Sequence, residues 1–395
     1  FSLERSVWAT SSITGTPGWY QDLYWHVSIT ADATNFAPPT DPQAAFEGVL
    51  SYHWFSNAHT AALTMASGLD LNKISVLAWY LPVMAATLAL TYGFAVRLSR
   101  SSAAGALAAV LLVAAPSAAP LAGLNMSAHS ALVWMSPSHI FSLPVALLVT
   151  WAVIELLRSK RPAPWLWVFT GYLFLISPGA KVSLLPTILG GVAVVGLVAI
   201  IRRKDILRPL LIGILGVLIV LATRGIFAGG GDGSKLGFGA VTEGVKLFGS
   251  TATSSPPEGL LLVGLVIALA GTFLSSMIVV ASGSGDRDPA PLVYAGMMAV
   301  ALVAIFGLSH PSLSQLYFMR GIIPVSAVFI AWGCVAAVRK LFAWLPHERA
   351  LGAAVASVVV GGGVGYVWVS SASFSTPPGR RWLVLAVVVF LLLAA

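Results

Sequence analysis

The densest set of side chains capable of acid–base chemistry lies near the start of the sequence, where residues 19–26 read WYQDLYWH. If this stretch is helical, Asp22 and His26 are four residues apart and share a face. A carboxylate at a water-filled site can act as a general base or hold a metal ion. Asp22 is therefore a candidate catalytic base or metal ligand, with His26 either orienting it or joining a divalent cation near Asp22. An ordinary surface helix has the same spacing, and the sequence identifies no other cofactor.

Two further acidic residues and a second aromatic cluster follow. Asp41 lies in a proline-rich stretch, Glu47 comes six residues later, and Tyr52 and His53 belong to the second cluster, at 50–55. We expect Asp41, Glu47 and His53 to face the same cavity as the first cluster, as candidate catalytic and substrate-binding residues, with Tyr52 beside them. The residues do not decide whether Asp41 or Glu47 would assist the first aspartate.

Both clusters lie in segments whose composition is typical of helices at a bilayer surface. We expect the first helix to place Leu23, Trp25 and Ile29 against the bilayer interface, as aromatic-rich amphipathic helices do. Residues 52–69 read as a second, partly apolar helix along the membrane surface.

Three cations lie at the ends of long apolar runs: Lys181, Arg224 and Arg320. Together they are suited to binding an anionic lipid headgroup or a diphosphate, because an arginine can contact a phosphate through two hydrogen bonds. Each could instead extend its charged end to the membrane surface. The stretch 309–318 precedes Arg320 and includes Gln315 and Tyr317, and its many hydrogen-bonding groups would suit a polar headgroup or cap two helices.

The composition places the chain in a membrane. Of its 395 residues 57% are hydrophobic and 9% are charged, with a mean hydropathy of +0.89. Soluble domains carry about 25% charged residues, so a water-soluble globule is excluded. The only cysteine is Cys334, which rules out an intrachain disulfide. The net charge of +8 reflects membrane orientation rather than a nucleic-acid partner.

Apolar runs that approach the length of about 20 residues needed to span a bilayer recur along the whole chain. There are eleven, at 76–96, 103–121, 141–157, 165–176, 182–201, 209–223, 259–280, 292–308, 322–338, 351–369 and 382–395. They predict an all-α polytopic membrane protein with a large first loop at 1–75 and a helical body at 76–395. Because the sequence begins at Phe1 and ends inside an apolar stretch, we expect further residues on both sides.

The distribution of basic residues predicts the orientation. Thirteen of the 22 Lys and Arg residues fall in short loops on one side of the predicted spans, at positions 97, 100, 158, 160, 161, 202, 203, 204, 208, 287, 339, 340 and 349. Short cytoplasmic loops are enriched in Lys and Arg. We therefore expect a multi-pass plasma-membrane protein whose first loop and candidate site lie on the extracytoplasmic side.

Four short segments resemble those of one family of membrane enzymes. They are DLYWH at 22–26, YHW at 52–54, GAK at 179–181 and SQLYF at 314–318. Together with the layout of the chain, they resemble the GT-C superfamily of membrane glycosyltransferases, particularly actinobacterial members. The resemblance implies an inverting enzyme that moves a sugar from a polyprenyl-phosphate carrier to a cell-envelope glycan or glycolipid. It makes Asp22 the base, with Lys181 or Arg320 offsetting charge on the departing lipid phosphate.

The sequence leaves two other classes of function open. A lipid or glycan transporter would carry ionisable residues near the bilayer midplane or internally related halves, and we find neither in the sequence. A non-catalytic subunit of a cell-envelope assembly complex is compatible with the composition.

Overall fold

The computed structural model describes residues 21–42, 48–114, 136–227, 235–236, 288–309, 315 and 317–344, and these residues are almost entirely helical. The helices are α1 (Gln21–Ala33), α2 (Phe55–Ser67), α3 (Leu71–Lys73), α4 (Tyr80–Ser99), α5 (Ser102–Ala114), α6 (Pro137–Arg158), α7 (Pro164–Ala180), α8 (Leu184–Ile201), α9 (Leu207–Phe227), α10 (Ala290–Gly307), α11 (Tyr317–Arg320) and α12 (Ile323–Trp344). A π-helical turn, Ile74–Ala78, connects α3 to α4. Two short strands, β1 (Lys235–Leu236) and β2 (Leu308–Ser309), pair antiparallel.

The chain is a membrane-embedded helical protein. Within the described residues, five helices are long and apolar enough to cross a membrane: α4, α6, α8, α9 and the Ile323–Lys340 part of α12. Eight of the eleven predicted apolar runs coincide with helices α4 to α10 and α12. The predicted runs at 259–280, 351–369 and 382–395 lie outside the described residues. The predicted all-α class is confirmed for the part of the chain that the structure describes.

Helix α6 lies at the centre of the bundle, and most of its side chains are buried. It packs against α4, α7 and α12, and its Trp151 ring stacks on Phe94 of α4 with ring centroids 5.4 Å apart. A separate close contact joins α8 to α10, where Gly190 and Gly191 face Gly296. A Cβ atom on Gly296 would collide with the backbone of Gly190, so the two helix backbones approach each other directly.

One end of the bundle is held by basic residues. The Arg97 guanidinium donates to both carboxylate oxygens of Glu155, at 2.9 and 3.0 Å. Arg158 Nε donates to Asp288 Oδ1 at 2.8 Å, and Arg208 donates to the carbonyl oxygens of residues 159 and 160. These contacts bring together the ends of α4 and α6 and the starts of α9 and α10. We call this region the basic end.

The first helix is part of the protein core, which corrects the prediction that its apolar face lies against the bilayer. Leu23 is 1% exposed and Ile29 is fully buried. Helix α1 packs on α2, so the two side chains lie inside the protein rather than against lipid. Trp25 is half-buried and contacts Tyr52. The second predicted helix, at 52–69, is observed as α2 over Phe55–Ser67.

Candidate functional site

Helix α1 is fixed to α2 by one amide side chain. Asn57 Nδ2 donates to the carbonyl oxygen of His26 at 2.8 Å and to Thr30 Oγ1 at 3.0 Å. It also lies 3.4 Å from His26 Nδ1. All three residues are buried. Because the amide bonds to both the backbone and a side chain of α1, it contributes to the orientation of the helix that carries His26.

His26 is neutral in this environment. Burial, and then the positive charge of Lys181, lower the pKa of His26 to about 4, against a smaller opposing effect of its hydrogen bond to Asn57. Asp22 lies one helical turn earlier in α1, so the two residues share a helix face as predicted. The side chain of Asp22 lies outside the described atoms.

An aromatic pair connects α1 to the segment before α2. The ring of Trp25 meets the ring of Tyr52 edge-on, with centroids 4.6 Å apart and planes at 78°. Tyr52 in turn lies over the His53 ring, with centroids 3.7 Å apart. Trp25 and Tyr52 are both half-buried, whereas His53 is buried. Through these contacts, Trp25 and Tyr52 connect α1 to the buried imidazole of His53.

Lys181 lies at the centre of the site, in the short connection between α7 and α8. Its Nζ is 2.8 Å from His53 Nε2 and donates to Ser138 Oγ at 3.2 Å. The same Nζ lies 3.8 Å from the centre of the Tyr317 ring, a cation–π distance. The side chain is only 5% exposed, and among the described residues no carboxylate forms an ion pair with it.

Tyr317 also contacts a second cation. The guanidinium carbon of Arg320 lies 5.4 Å from the centre of its ring, and the ring of His139 lies 5.6 Å away. Arg320 Nε is shielded from solvent and lacks a hydrogen-bond partner among the described residues. The same holds for Oε1 of the buried Gln315, two residues before Tyr317. We call His53, Ser138, Lys181, Tyr317 and Arg320 the cationic cluster.

The electrostatics of the cationic cluster favour an incoming anion. Burial and the neighbouring Arg320 lower the pKa of Lys181 to about 7. Burial and the charge of Lys181 lower the pKa of His53 well below its ordinary value, so this imidazole is neutral. A buried charge is costly unless an opposite charge or hydrogen bonds compensate it. An anionic ligand would supply the compensation that no described carboxylate provides.

A glycine brings the cluster together. The last turn of α7 lies directly on the first residue of α2, because a Cβ atom on Gly179 would be 2.5 Å from the Phe55 ring. Lys181 follows two residues later, and His53 precedes Phe55 by two. The close approach of the two segments therefore sets the distance between Lys181 and His53.

The structure brings together most of the predicted site residues: His26, Tyr52, His53, Lys181, Tyr317 and Arg320. Arg224 is exposed in the last turn of α9 and has no described hydrogen bond or ring contact with them. Asp41 lies in a short loop, where its N–H donates to the carbonyl oxygen of Gly48. Glu47 lies outside the described residues.

Three contributors were not predicted from the sequence. Asn57 lies four residues after His53, and in the helix predicted at 52–69 the two would share a face, although α2 begins only at Phe55. Ser138 is a small polar residue in the first turn of an otherwise apolar helix, a weak signal. Asp32 holds the loop after α1, where its carboxylate accepts hydrogen bonds from the N–H and Oγ1 of Thr40.

Among the residues that the structure describes, no three His, Cys, Asp or Glu side chains converge as the ligands of a metal ion would. The divalent cation expected near Asp22 stays a prediction, since that side chain is not described. Comparisons of the chain with protein-family models, with curated proteins and with solved structures find no match. Any assignment of function therefore depends on the residues and geometry of the site itself.

Proposed function

We propose that the chain is an inverting membrane glycosyltransferase of the GT-C type, which takes a sugar from a polyprenyl-phosphate carrier at the extracytoplasmic face of the plasma membrane. One observation carries this proposal: Lys181 is buried without a described carboxylate partner, beside Arg320, at the same end of the bundle as the helix that carries Asp22. The acceptor would be a glycan or glycolipid of the cell envelope.

The cationic cluster suits the phosphate of such a donor. Lys181 would act as a point charge, and the planar guanidinium of Arg320 would hydrogen-bond phosphate oxygens, with its unpartnered Nε available as one donor. The apolar helices around the site would accommodate the polyprenyl tail in the bilayer. A lipid phosphate therefore matches both the charge of the cluster and its surroundings.

The reaction follows from placing the donor phosphate at this cluster. An acceptor hydroxyl attacks the anomeric carbon from the face opposite the phosphate, and Asp22 takes the hydroxyl proton. The new C–O bond forms as the bond between the anomeric carbon and the phosphate oxygen breaks. Polyprenyl phosphate leaves with the electron pair, and Lys181 and Arg320 stabilise the charge that develops on it.

His26 has a supporting role in this scheme. It is neutral, and Asn57 fixes it one helical turn from Asp22. It would orient the carboxylate rather than carry charge. Replacing His26 by Ala is therefore expected to lower transfer less than replacing the base.

The test is sugar transfer by the purified full chain in lipid nanodiscs, with radiolabelled polyprenyl-phosphate sugars and glycolipid acceptors extracted from envelope membranes. Asp22→Asn keeps the shape of the side chain but cannot accept the proton, so we expect a loss of about 10²- to 10⁴-fold. Lys181→Ala or Arg320→Ala should raise the donor concentration needed by about ten- to a hundredfold, the effect of losing a charged hydrogen bond. Lys73→Ala removes an exposed cation from α3 and is the matched control.

Near-parental transfer by Asp22→Asn would contradict its role as base and leave Asp41 and Glu47 to be tested next. Unchanged donor dependence in both the Lys181 and Arg320 variants would contradict the phosphate site. Thermal unfolding of each variant in detergent separates a loss of function from a loss of folded protein.

A further inference from the structure

Two partly exposed aromatic rings lie beside the buried centre of the site. The polar side chains closest to its centre are buried, with His26, His53 and Lys181 at 4%, 8% and 5% exposure. Trp25 and Tyr52 contact the two histidine rings and are only half-buried. Their exposed parts are therefore surface that a ligand next to the imidazoles would contact.

These rings belong to the two segments that carry or contact the groups needed by the proposed reaction. Trp25 comes three residues after Asp22 in α1, close to the same helix face. Tyr52 lies over His53, whose Nε2 is 2.8 Å from Lys181 Nζ. A donor with its phosphate at Lys181 and its anomeric carbon towards α1 would therefore have its sugar beside these rings.

We propose that Trp25 and Tyr52 form the surface on which the sugar ring of the donor lies, and that they determine which sugar the site accepts. This inference rests on the proposed function. The faces of aromatic rings carry partial negative charge and attract the polarised C–H groups on the apolar side of a sugar. The two rings meet at 78°, so they form a corner, and a sugar ring placed there would contact both.

The alternative is that both residues are anchors at the membrane surface, where Trp and Tyr are common. Their contacts favour the binding surface. Anchoring rings lie among lipid headgroups, whereas Trp25 and Tyr52 contact each other and the rings of two buried histidines, His26 and His53.

The proposal predicts a difference between two ligands that share a phosphate and a lipid tail. A polyprenyl phosphate without a sugar would use the cationic cluster alone, whereas the sugar-bearing diester would also use the aromatic corner. Changes in Trp25 and Tyr52 should therefore weaken binding of the diester only. A change in Lys181 should weaken binding of both.

The experiment measures the affinity of the full chain in nanodiscs for farnesyl phosphate and for its mannosyl, glucosyl and arabinosyl phosphodiesters. The comparison uses the diester that the parent protein binds most tightly. Trp25→Ala and Tyr52→Ala should each weaken its binding about three- to tenfold, the range of one aromatic contact, and change farnesyl phosphate binding less than twofold. Tyr52→Phe keeps the ring and should retain more of the binding than Tyr52→Ala. Trp165→Ala removes an exposed ring from α7 and is the control.

The outcomes separate this inference from the proposed function. Suppose that Tyr52→Ala and Lys181→Ala each weaken the binding of farnesyl phosphate and of the diester equally. The aromatic rings then only support the cationic cluster, so the inference is wrong, whereas the phosphate site is upheld. If no diester binds the parent more tightly than farnesyl phosphate, the inference is also wrong. If Lys181→Ala changes neither affinity, the proposed function fails. Should Trp25→Ala not fold, Trp25→Phe replaces it, and a smaller ring should then change the order of preference among the three sugars.

Discussion

At the scale of single residues, the groups around Lys181 are those that a buried ammonium ion needs. Its Nζ contacts an imidazole nitrogen, a hydroxyl oxygen and an aromatic face, groups that solvate an ammonium ion without cancelling its charge. His53 must accept a hydrogen bond from Lys181 when the lysine is charged, which requires an unprotonated Nε2. Burial keeps that imidazole neutral and so allows the contact.

The first prediction is that anion binding weakens as the pH rises through about 7. Lys181 has its pKa lowered to about 7, so the empty site loses the lysine charge above that pH. His26 and His53 have lowered pKa values and are already neutral there. We expect the affinity for farnesyl phosphate, measured from pH 6 to 9.5, to fall by up to about tenfold per pH unit above pH 7. Lys181→Met, which cannot be charged, should remove this pH dependence, and equal parental affinity at pH 6 and 9 would contradict the prediction.

The second prediction concerns the stability of the ligand-free protein, which changes with pH in the opposite direction. The unfolded chain holds the Lys181 proton up to about pH 10.5, whereas the folded chain releases it near pH 7. Between these values the unfolded state binds more protons, so the free energy of unfolding rises with pH. Below pH 7 both states are protonated and this contribution is constant. The unfolding temperature of the parent should therefore rise from pH 7 to 10 relative to that of Lys181→Met. If the unfolding temperatures of the two proteins change with pH in parallel, the lowered pKa of Lys181 is contradicted.

At the scale of elements, two glycine contacts hold neighbouring helices at short distances. The contact between α8 and α10 involves backbone on both sides, because a Cβ on Gly191 would lie 2.5 Å from the carbonyl oxygen of Val293. The contact between α7 and α2 involves a glycine and the Phe55 ring, which can turn. The first contact is therefore the less tolerant of added volume.

The third prediction tests this difference in membrane packing. Gly296→Ala inserts a methyl group between two backbones and is expected to destabilise the fold by about 1–3 kcal/mol, the usual cost of overpacking. Gly213→Ala is the matched control, because it lies in α9 with nothing within 4 Å of the added carbon. It should be neutral or slightly stabilising, since alanine favours a helix over glycine. Equal unfolding temperatures for the two variants in the same detergent would contradict the packing argument.

The fourth prediction links the second glycine to function. Gly179→Ala should push the Phe55 ring aside and move the start of α2 relative to α7, which changes the distance between His53 and Lys181. We expect weaker farnesyl phosphate binding, with a smaller loss of stability than in Gly296→Ala. Phe55→Leu combined with Gly179→Ala should restore part of the affinity, because the smaller side chain leaves room for the methyl group. No recovery in the double variant would show that the ring is not the obstacle.

The elements were easier to predict from the sequence than the contacts between them. Apolar runs that approach the length of a bilayer span identified α4 to α10 and α12, because lipid requires nearly continuous apolar surface. The same signal misplaced α1, since an apolar stripe facing protein reads like one facing lipid. The contact of Lys181 with His53 joins residues 128 positions apart, which no local pattern encodes. Only the unusual position of a lysine at the end of an apolar helix indicated that Lys181 needed a partner.

At the scale of the whole molecule, the two ends of the bundle differ in how their positively charged side chains are paired. At the basic end, arginines pair with Glu155 and Asp288 or with backbone carbonyl oxygens. At the other end, Lys181 and Arg320 share an aromatic ring and form no ion pair among the described side chains. Short segments such as the one at 201–206 carry the exposed cations of the basic end. From this asymmetry we expect the basic end to lie in the cytoplasm.

The last prediction tests that orientation in intact cells. Cys334→Ala gives a cysteine-free background, because the chain has no other cysteine. In that background Asn72→Cys introduces a thiol in α3, at the end of the bundle that carries the cationic cluster. Lys204→Cys introduces a thiol just after α8, at the basic end. Both positions are exposed. A maleimide that cannot cross the membrane should label Asn72→Cys in intact cells and Lys204→Cys only after permeabilisation, since short basic loops stay in the cytoplasm. Activity measured in the same background would show that the substitutions leave the fold intact. The reverse labelling pattern would place the cationic cluster on the cytoplasmic side, and the lipid-linked donor would then have to be sought there.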